Sequence, residues 1–362
     1  MKKRRSSKKH TKGVSFSGTV FRIILIICAS ALVLSYLSIF IDPSVFWFPM
    51  FFGLYFIPIC FINVILLAIS VFKRKMYMII PIIALIPALF FADLFVKVGN
   101  EEKVYHGDNF KILTYNVGRF SAGIKGETPD RTYGRIREFL KEENADIVCF
   151  QEFMTKDTTS FKQLFGEYPY YSYHFFKGNR YFGNITLSKY PIVSSDKITF
   201  KKSTNLCILS DIAINDNIIR VYNCHLESYS ISFTSVIKRL GKKSDWTDEF
   251  MELHGKLKGT NIRRSEQVND ILEQVNKSSH PSVICGDFND TPISYTYHTL
   301  SKNKKDSFVE GGAGFSSTYS VLWPLLRIDY ILLPGEYQTD KHKITRVPFS
   351  DHYPISTFIY YN

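Results

Sequence analysis

The N-terminal quarter of the chain contains three long apolar runs without a charged residue. They cover residues 23–41, 43–72 and 76–92, and a helix needs ~20 apolar residues to cross a hydrocarbon core of ~30 Å. The pattern predicts three transmembrane helices at about residues 21–41, 46–72 and 76–96. The third is the least regular, because Pro81 and Pro87 interrupt it and its full length includes residues 93–96. A cleaved signal peptide is disfavoured for the first run, because two further runs follow it and no small-residue cleavage site does.

Basic residues flank these runs on alternating sides. Seven Lys and Arg residues lie in the tail 1–20, three more occupy positions 73–75, and the short link 42–45 has none. Because basic residues stay on the cytoplasmic side, the tail is predicted to be cytoplasmic and everything after the third helix extracytoplasmic. In a bacterium this describes an integral inner-membrane protein whose soluble domain lies on the periplasmic side. If the third run failed to cross, the soluble domain would instead be cytoplasmic.

Residues 98–107 are polar and are predicted to form a linker, and from residue 108 onward short apolar runs alternate with helical patterns. Strands are predicted at 111–117, 146–153, 184–192, 207–214, 218–226, 282–288, 327–333 and 355–361. Helices are predicted at 131–143 and 262–276, and residues 215–217 have the composition of a tight hairpin turn. Strands joined by both hairpins and helices are typical of an α/β (α+β) domain with large mixed sheets, here spanning residues 108–362.

Residues 229–260 interrupt this rhythm and are predicted to be an insertion. The segment mixes apolar and aromatic residues such as Trp246, Phe250 and Leu253 with Lys242 and Lys243. This composition is typical either of an ordinary surface helix or of an amphipathic cap over a site or at a membrane surface. The sequence leaves both interpretations open.

The formal net charge of +12 does not by itself indicate a nucleic-acid partner. Residues 1–96 hold 11 Lys and Arg against 2 Asp and Glu, a net of +9, so the remaining 266 residues hold 34 against 31, a net of +3. The basic excess therefore belongs to the predicted membrane region. The six cysteines show no zinc-site spacing and are predicted to be free thiols, mostly buried.

Polar side chains follow or interrupt several of the predicted strands. They are Asn116, Glu152, His225, Asp287 with Asn289, Asp329, and Asp351 with His352. Each of them also fits an ordinary turn, a helix cap or a core histidine. Asp329 fits such an interpretation least well, because a carboxylate between isoleucines costs several kcal/mol unless it is paired, and His352 is the candidate partner.

Six motifs in this order resemble one family. LTYNV, FQEF, NCHLE, GDFND, RIDYIL and SDHYPI together are similar to the motifs of the endonuclease/exonuclease/phosphatase family. The resemblance covers residues 108–362 and implies a four-layer sandwich of two mixed β-sheets flanked by helices, here preceded by the three transmembrane helices. The histidine in NCHLE favours the nuclease, sphingomyelinase and phosphoinositide-phosphatase branches over the AP-endonuclease branch.

The resemblance also implies a metal site. The family hydrolyses phosphate esters with Mg²⁺ (or Mn²⁺), and hard cations of this kind take oxygen ligands. By resemblance, Glu152 is the principal ligand, and Asn116 and Asp351 lie close to the ion. The ion would polarise a phosphoryl oxygen and neutralise the charge that develops there.

The remaining candidates take catalytic roles by the same resemblance. Asp287 would orient or deprotonate the attacking water, while Asn289 and His225 would donate hydrogen bonds to the non-bridging oxygens. His352, oriented by Asp329, would act as a base or as a cation that stabilises the phosphate.

The sequence therefore predicts a membrane-anchored, metal-dependent phosphoesterase that acts on nucleic acid or on a phospholipid head group. The expected partners are this phosphate-ester substrate and the bilayer, through residues 21–97, and no obligate protein partner is evident. One alternative is a catalytically silent membrane module that keeps the fold and binds phosphate or lipid. Another is a transport component, which is disfavoured because Asn63 is nearly alone as a polar residue within the spans.

Overall fold

The computed structural model describes residues 16–73, 76–99, 105, 107–120, 129–155, 165–178, 181–201, 203–229 and 246–361. Most of the predicted basic tail 1–20, part of the predicted linker 98–107 and residues 230–245 of the predicted insertion lie outside the described residues.

The N-terminal region is helical near the predicted boundaries, but its middle segment is broken. α1 spans Phe16–Leu37, α2 spans Met50–Leu54, α3 spans Phe56–Phe72 and α4 spans Ile79–Leu85, with 3-10 helices at Met76–Met78 and Ile86–Leu94 on either side of α4. Two helices, Phe16–Leu37 and the continuous run Met76–Leu94, are long and apolar enough to cross a membrane. α3 has 17 residues and is shorter. A third transmembrane helix at 46–72 thus remains a prediction.

Prolines cause the irregularities in both later segments. Pro58 has no N–H group to donate to the carbonyl of Leu54, so the helical ladder is interrupted between α2 and α3. Tyr55 occupies this break with φ −97° and ψ 20°. The run 76–94 changes from α-helix to 3-10 helix at Ile86, next to Pro87.

Two six-stranded mixed sheets form the soluble domain. In chain order the strands are β1 (Val96–Lys97), β2 (Asp108–Asn116), β3 (Ile147–Thr155), β4 (Tyr170–Lys177), β5 (Tyr181–Ser188), β6 (Ile192–Thr199), β7 (Leu206–Ile214), β8 (Asn217–His225), β9 (Ser282–Asp287), β10 (Lys304–Asp306), β11 (Gly314–Phe315), β12 (Asp329–Pro334), β13 (Gln338–Ile344) and β14 (Ile355–Tyr361). The first sheet has the order β10-β12-β9-β8-β7-β6 and the second β13-β14-β2-β3-β5-β4. Among the strands that the structure describes, only the pairs β8–β9 and β2–β3 are parallel. β1 and β11 form a separate two-stranded ribbon.

The sheets pack face to face and are covered by helices on both outer sides. The helices are α5 (Pro129–Glu143), α6 (Trp246–Lys277), α7 (Tyr295–Leu300) and α8 (Ser307–Gly311), with 3-10 turns at Gly118–Phe120 and Ser320–Leu322. Ile112 and Ile147 of the second sheet share one buried cluster with Val221 and Val283 of the first. α5 covers the outer face of the second sheet and α6 that of the first. The predicted four-layer sandwich is therefore confirmed for this domain.

All eight predicted strands are present, and the structure adds six strands that were not predicted: β1, β4, β6, β10, β11 and β13. The predicted strand 184–192 is divided between β5 and β6 at Pro191, and the hairpin at 215–217 joins β7 to β8 with φ +52° at Asn215. The predicted helix 262–276 is longer, because α6 begins at Trp246 within the supposed insertion. All six cysteines are free, four of them buried.

A buried polar network joins the two sheets beneath one edge. Gln151 donates to Asn223 Oδ1 at 2.8 Å and to Thr114 Oγ1 at 2.9 Å. Asn223 donates in turn to the carbonyl of Ile185 at 3.0 Å. Buried side-chain hydrogen bonds of this kind favour one arrangement of the core. Since Gln151 precedes Glu152, these hydrogen bonds hold the backbone directly beneath the polar residues at the strand ends.

The N-terminal helices pack directly on the soluble domain. Asn269 of α6 donates to the Asp42 carboxylate at 3.0 Å. Phe40 lies edge-on to His298 of α7 with ring centroids 5.0 Å apart. Ser316 donates its backbone N–H to the carbonyl of Phe95 at 2.9 Å. The loop after α1 and the end of the run 76–94 therefore both contact the soluble domain.

Candidate active site

Strand register in the first sheet brings three polar side chains together. β9 lies between β8 and β12, and Asp287 is the register partner of both His225 and Asp329. Gly286, just before it, has φ +127°, and a Cβ there would lie 2.0 Å from the carbonyl oxygen of Cys224. Only glycine permits this approach of β9 to β8.

The second sheet supplies the other half of the site at the same edge. Parallel pairing of β2 and β3 aligns Asn116 with Gln151, the neighbour of Glu152. Asp351 and His352 stand just before β14, which runs antiparallel to β2, so they arrive at the same edge. The structure thus brings all eight predicted site residues to one edge of the sandwich.

Asp287 is buried at the centre of the site and accepts several hydrogen bonds. Asn116 Nδ2 donates to its Oδ2 at 2.8 Å, and Asn289 donates its backbone N–H to Oδ1 at 2.8 Å and its Nδ2 to Oδ2 at 3.1 Å. His352 Nε2 lies 3.8 Å from Oδ2. Burial raises the pKa of Asp287 to about 6, although the charge of His352 opposes the shift. The carboxylate is therefore a base that is mostly ionised at neutral pH.

Asp329 and His352 form a buried carboxylate–histidine pair. His352 Nδ1 lies 3.0 and 3.2 Å from the two carboxylate oxygens of Asp329. Thr318 Oγ1 accepts the backbone N–H of Asp329 at 3.1 Å, which fixes the start of β12. Burial alone would lower the pKa of His352, but Asp329 and Asp287 raise it to about 10. The imidazole is therefore held as a cation with its Nε2 directed at Asp287.

Glu152 reaches the site through a β-bulge. The register of β3 on β5 shifts between Phe150 and Phe153, and Glu152 has φ +51°. Its carboxylate lies 3.2 Å from Arg119 Nε and 3.4 Å from His225 Nε2. Burial alone would raise the pKa of Glu152, but the charges of His225 and Arg119 lower it. A bulge that redirects one side chain is typical of functional sites.

Backbone strain is concentrated here. Arg119, Glu152 and Asn289 have φ values of +54°, +51° and +53°. Residues other than glycine rarely adopt such angles, and they persist where the surrounding contacts enforce them. Among the described residues, His225 Nε2 is a buried nitrogen without a hydrogen-bond partner, and it faces Glu152 and Asp287. It can donate to a bound oxygen.

A family model described as "Endonuclease/Exonuclease/phosphatase family" matches residues 113–352, which include every one of these side chains. The chain belongs to the endonuclease/exonuclease/phosphatase family. A second model, for a domain of unknown function, matches residues 18–94. The two family models match different parts of the chain and do not overlap. Curated protein sequences give no match.

Solved structures of the family share the fold at low sequence identity. A Bacteroides thetaiotaomicron endonuclease/exonuclease/phosphatase family protein has 17% identity and a TM-score of 0.53, over 71% of this chain and 100% of that one. A mannosyl-6-phosphatase from the same species has 16% identity and a TM-score of 0.51, over 70% and 100%. The human Nocturnin catalytic domain with bound sulfate has 16% identity and a TM-score of 0.51, over 72% and 97%. These likenesses establish the fold alone.

The oxygen donors of the site fit the hard divalent cation on which the family generally depends. Glu152 and Asp351 line the same cleft, and Asn116 Oδ1 keeps a lone pair after accepting the N–H of Gly118 at 2.9 Å. Asp287, Asp329 and His352 also place ligand atoms within 4.8 Å of one another. In that cluster the Asp329 carboxylate already pairs with His352 Nδ1, so the Glu152 set is the better fit.

Gly118 is a site residue that the sequence analysis did not identify. It has φ +53°, and a Cβ at this position would lie 3.0 Å from Ser350 Oγ and 3.2 Å from Asp351 Oδ1. A glycine two residues after Asn116 is the only signal in the sequence, and many turns contain one. Its role is to let the loop after β2 approach Asp351 closely.

The polar groups open into a cleft of about 350 Å³ whose opposite wall is apolar. That wall was not predicted, and it consists of Leu54, Tyr55, Leu253, Leu257, Leu322 and Leu326. Leu253 and Leu257 belong to the part of α6 that overlaps the predicted insertion 229–260. For the described part of that segment, the structure therefore favours the cap over a site.

Proposed function

We propose that this protein is a metal-dependent phosphoesterase anchored in a membrane. Members of the family are hydrolases that act on phosphate esters. The observation that carries the proposal is the grouping of buried Asp287, the Asp329–His352 pair and Glu152 at the floor of one cleft. Side chains used only for folding do not need this concentration of buried charge.

Each group has a place in phosphate-ester hydrolysis. Glu152, Asp351 and Asn116 would hold the Mg²⁺ or Mn²⁺ ion, which supplies charge neutralisation at the phosphoryl oxygens. Asp287 accepts a proton from the attacking water and orients it, as its hydrogen bonds to Asn116 and Asn289 fix the carboxylate plane.

The remaining groups stabilise the charge of the transition state. His225 Nε2 donates to a non-bridging oxygen, since it is buried, lies 3.4 Å from the Glu152 carboxylate and makes no hydrogen bond among the described residues. The His352 cation lies on the other side of Asp287, where Asp329 holds its ring in position. Donors and charges fixed in advance cost no reorganisation when the reaction occurs.

The anchoring part of the proposal rests on exposed apolar surface. Phe72, Leu89 and Phe90 are 87%, 74% and 83% exposed. In an apolar 18-residue stretch of each helix, only 22% of the residues of α1 and 11% of those of the run 76–94 are buried. Soluble monomers rarely expose apolar patches of this extent. A bilayer would cover them.

The contacts of the helices support the orientation with the catalytic domain outside the cytoplasm. Phe56 at the start of α3 stacks on Phe95 at 5.6 Å, so α3 and the run 76–94 are antiparallel. Lys73 lies over the Phe21 ring at 5.3 Å, at the end of the bundle opposite the catalytic domain. Basic residues at that end favour the cytoplasm. Alkaline phosphatase fused after residue 102 should be active, and an inactive fusion would contradict this orientation.

The enzymatic part is tested with the full-length chain in detergent. Bis-p-nitrophenyl phosphate and p-nitrophenyl phosphate are assayed with Mg²⁺ or Mn²⁺, and turnover should be abolished by EDTA. Asp287→Asn and His352→Gln should each lower turnover by about 100-fold or more, while Asp196→Asn on the exposed strand β6 should not. Phosphate binding without hydrolysis of any ester would instead identify a catalytically silent module.

A further inference from the structure

The cleft combines a phosphate-ester site with a wall that a highly charged substrate would not need. The residues that line the cleft include four carboxylates, Glu152, Asp287, Asp290 and Asp351, and one histidine, His352. None of the described lining residues is Lys or Arg. Proteins that hold nucleic acid neutralise successive phosphates with Lys and Arg. Arg119, 3.2 Å from Glu152, is a cation beside the cleft, and buried Arg264 pairs with Asp290. The described lining therefore offers no row of cations for successive phosphates, and it favours a substrate with one phosphate and an apolar remainder.

The predicted membrane region contributes two residues to the apolar wall. Leu54 and Tyr55 come from the break between α2 and α3. Next to these residues, the Tyr55 hydroxyl lies 3.5 Å from His254 Nε2, and the Phe51 ring lies 5.1 Å from the same imidazole. α6 thus rests on the helical segment that would enter the bilayer, and both contribute residues to the lining of the cleft.

Uncovered apolar side chains border the cleft on both sides. On α6, Phe250 and Met251 are exposed immediately before Leu253, which faces the cleft. In the loop that precedes β12, Val321, Trp323 and Leu325 are exposed while their neighbours Leu322 and Leu326 line the cleft. Exposed aromatic and aliphatic groups of this kind insert at a membrane interface.

The second border is tied to the point where the chain leaves the last apolar helix. β1 follows the run 76–94 directly and pairs with β11, so that Val96 is the register partner of Phe315. The Phe315 ring lies 5.9 Å from Trp323. The loop with Trp323 is therefore held close to the level at which the 76–94 run ends, and a bilayer around the helices would reach it.

We propose that the cleft takes its substrate from the bilayer, as a lipid phosphate ester. The phosphate binds between Glu152 and His352, and the hydrocarbon chain lies along Leu54, Leu253 and Leu326 toward the membrane. This inference rests on the proposed function, and it adds the substrate class. A cleft of about 350 Å³ suits the phosphate and the first part of one chain.

The test compares two substrates that differ only in chain length. For diesterase activity the pair is methyl p-nitrophenyl phosphate and decyl p-nitrophenyl phosphate, which both release p-nitrophenol. For monoesterase activity the pair is methyl phosphate and decyl phosphate, and the release of inorganic phosphate is measured. With the full-length protein in nanodiscs and Mg²⁺, kcat/KM should be about 30-fold higher for the decyl member of the hydrolysed pair, because buried methylene groups each contribute to binding.

Variants of the wall separate binding to the protein from partitioning into the bilayer. Leu253 and Leu326 are only half-buried, so a serine at either position should be tolerated by the fold. Leu253→Ser and Leu326→Ser should each lower kcat/KM for the decyl ester by about 10-fold, while kcat/KM for the methyl ester changes by less than about 2-fold. Val193→Ser, at an exposed position on β6, is the control and should leave the ratio unchanged. Melting curves confirm that each variant is folded.

The outcomes distinguish this inference from the proposed function. Equal efficiency on the methyl and decyl esters, or equal losses on both in the wall variants, overturns the lipid assignment while phosphoesterase activity stands. Faster cleavage per bond of a single-stranded oligonucleotide than of the decyl ester also overturns it. Failure to hydrolyse either pair overturns the proposed function and the lipid assignment together.

Discussion

The two walls of the cleft differ in origin and in chemistry. The polar wall consists of strand ends of both sheets, and Asp287 and His352 are each fixed there by hydrogen bonds or ion pairs. The apolar wall comes from the N-terminal helices, α6 and the loop before β12. Its residues Leu54, Leu253 and Leu326 have no polar side-chain group and offer only apolar contact surface. On the proposed function, the first wall carries the reaction and the second selects the substrate. A fold can keep one and change the other.

The largest effect should come from the positioning residue of the polar wall. Asp329→Asn removes the charge that orients and retains the His352 cation, so kcat should fall by about 100- to 1,000-fold with little change in KM. The loss should be the same for methyl and decyl esters, because Asp329 acts through His352 and is not among the residues that line the cleft. Steady-state kinetics on both esters measure this.

The matched control is Asp196→Asn, which removes an exposed carboxylate from β6. It should leave both kinetic constants unchanged. A loss in Asp329→Asn that differed tenfold between the two esters would mean that the walls do not act separately.

The polar wall could be predicted from the sequence because strand register brings its side chains together. His225 and Asp287 end the buried strands β8 and β9, and Asp329 begins β12, which is antiparallel to β9. The order of the strands then places the three side by side. The six motifs supplied that order through the family. The bulge at Glu152 was not predictable, since two adjacent polar residues after a buried strand do not show which one turns inward.

The apolar wall could not be predicted, for a physical reason. Leu54, Leu253 and Leu326 lie in three distant segments, and an apolar residue in each is equally compatible with a membrane span, a surface helix or a loop. The edge strands were missed on similar grounds. β6 and β13 are largely polar or exposed and lack the alternation that marks a buried strand.

A smaller effect should follow from the close approach at Gly118. In Gly118→Ala the added Cβ meets Ser350 Oγ and Asp351 Oδ1 at 3.0 and 3.2 Å, on a backbone with φ +53°. Displacement of Asp351 should lower kcat/KM by about 10-fold and raise the Mg²⁺ concentration needed for half-maximal rate. A Mg²⁺ titration of the rate measures both.

Gly134→Ala is the matched control, because a Cβ there meets no atom within 4 Å and the residue lies within α5. It should be neutral in kinetics and stabilise the protein by up to about 1 kcal/mol. An unchanged Mg²⁺ requirement in Gly118→Ala would contradict the assignment of Asp351 to the metal site.

The smallest effect concerns a histidine outside the cleft, and it tests why the polar wall holds charge. His342 is buried beside Ser307 Oγ, with Nδ1 at 2.9 Å, and burial together with the charge of Arg327 lowers its pKa to about 3, against the opposing effect of Asp306. His352, equally buried, is charged because two carboxylates face it. Burial alone therefore does not make a histidine cationic in this protein.

The contrast has a consequence for stability. The unfolded chain protonates His342 below about pH 6.5 while the folded protein does not, so its contribution is present above that pH and is lost as the pH falls toward 3. Between pH 7.5 and 5.5 the unfolding free energy should fall by about 1.4 kcal/mol through this group. His342→Gln should abolish that part of the decrease and His280→Gln should not, as denaturation in detergent at the two pH values would measure. An identical pH dependence in His342→Gln and the wild-type protein would mean that His342 has the same pKa in the folded and unfolded chain, and that burial does not disfavour its charged form here.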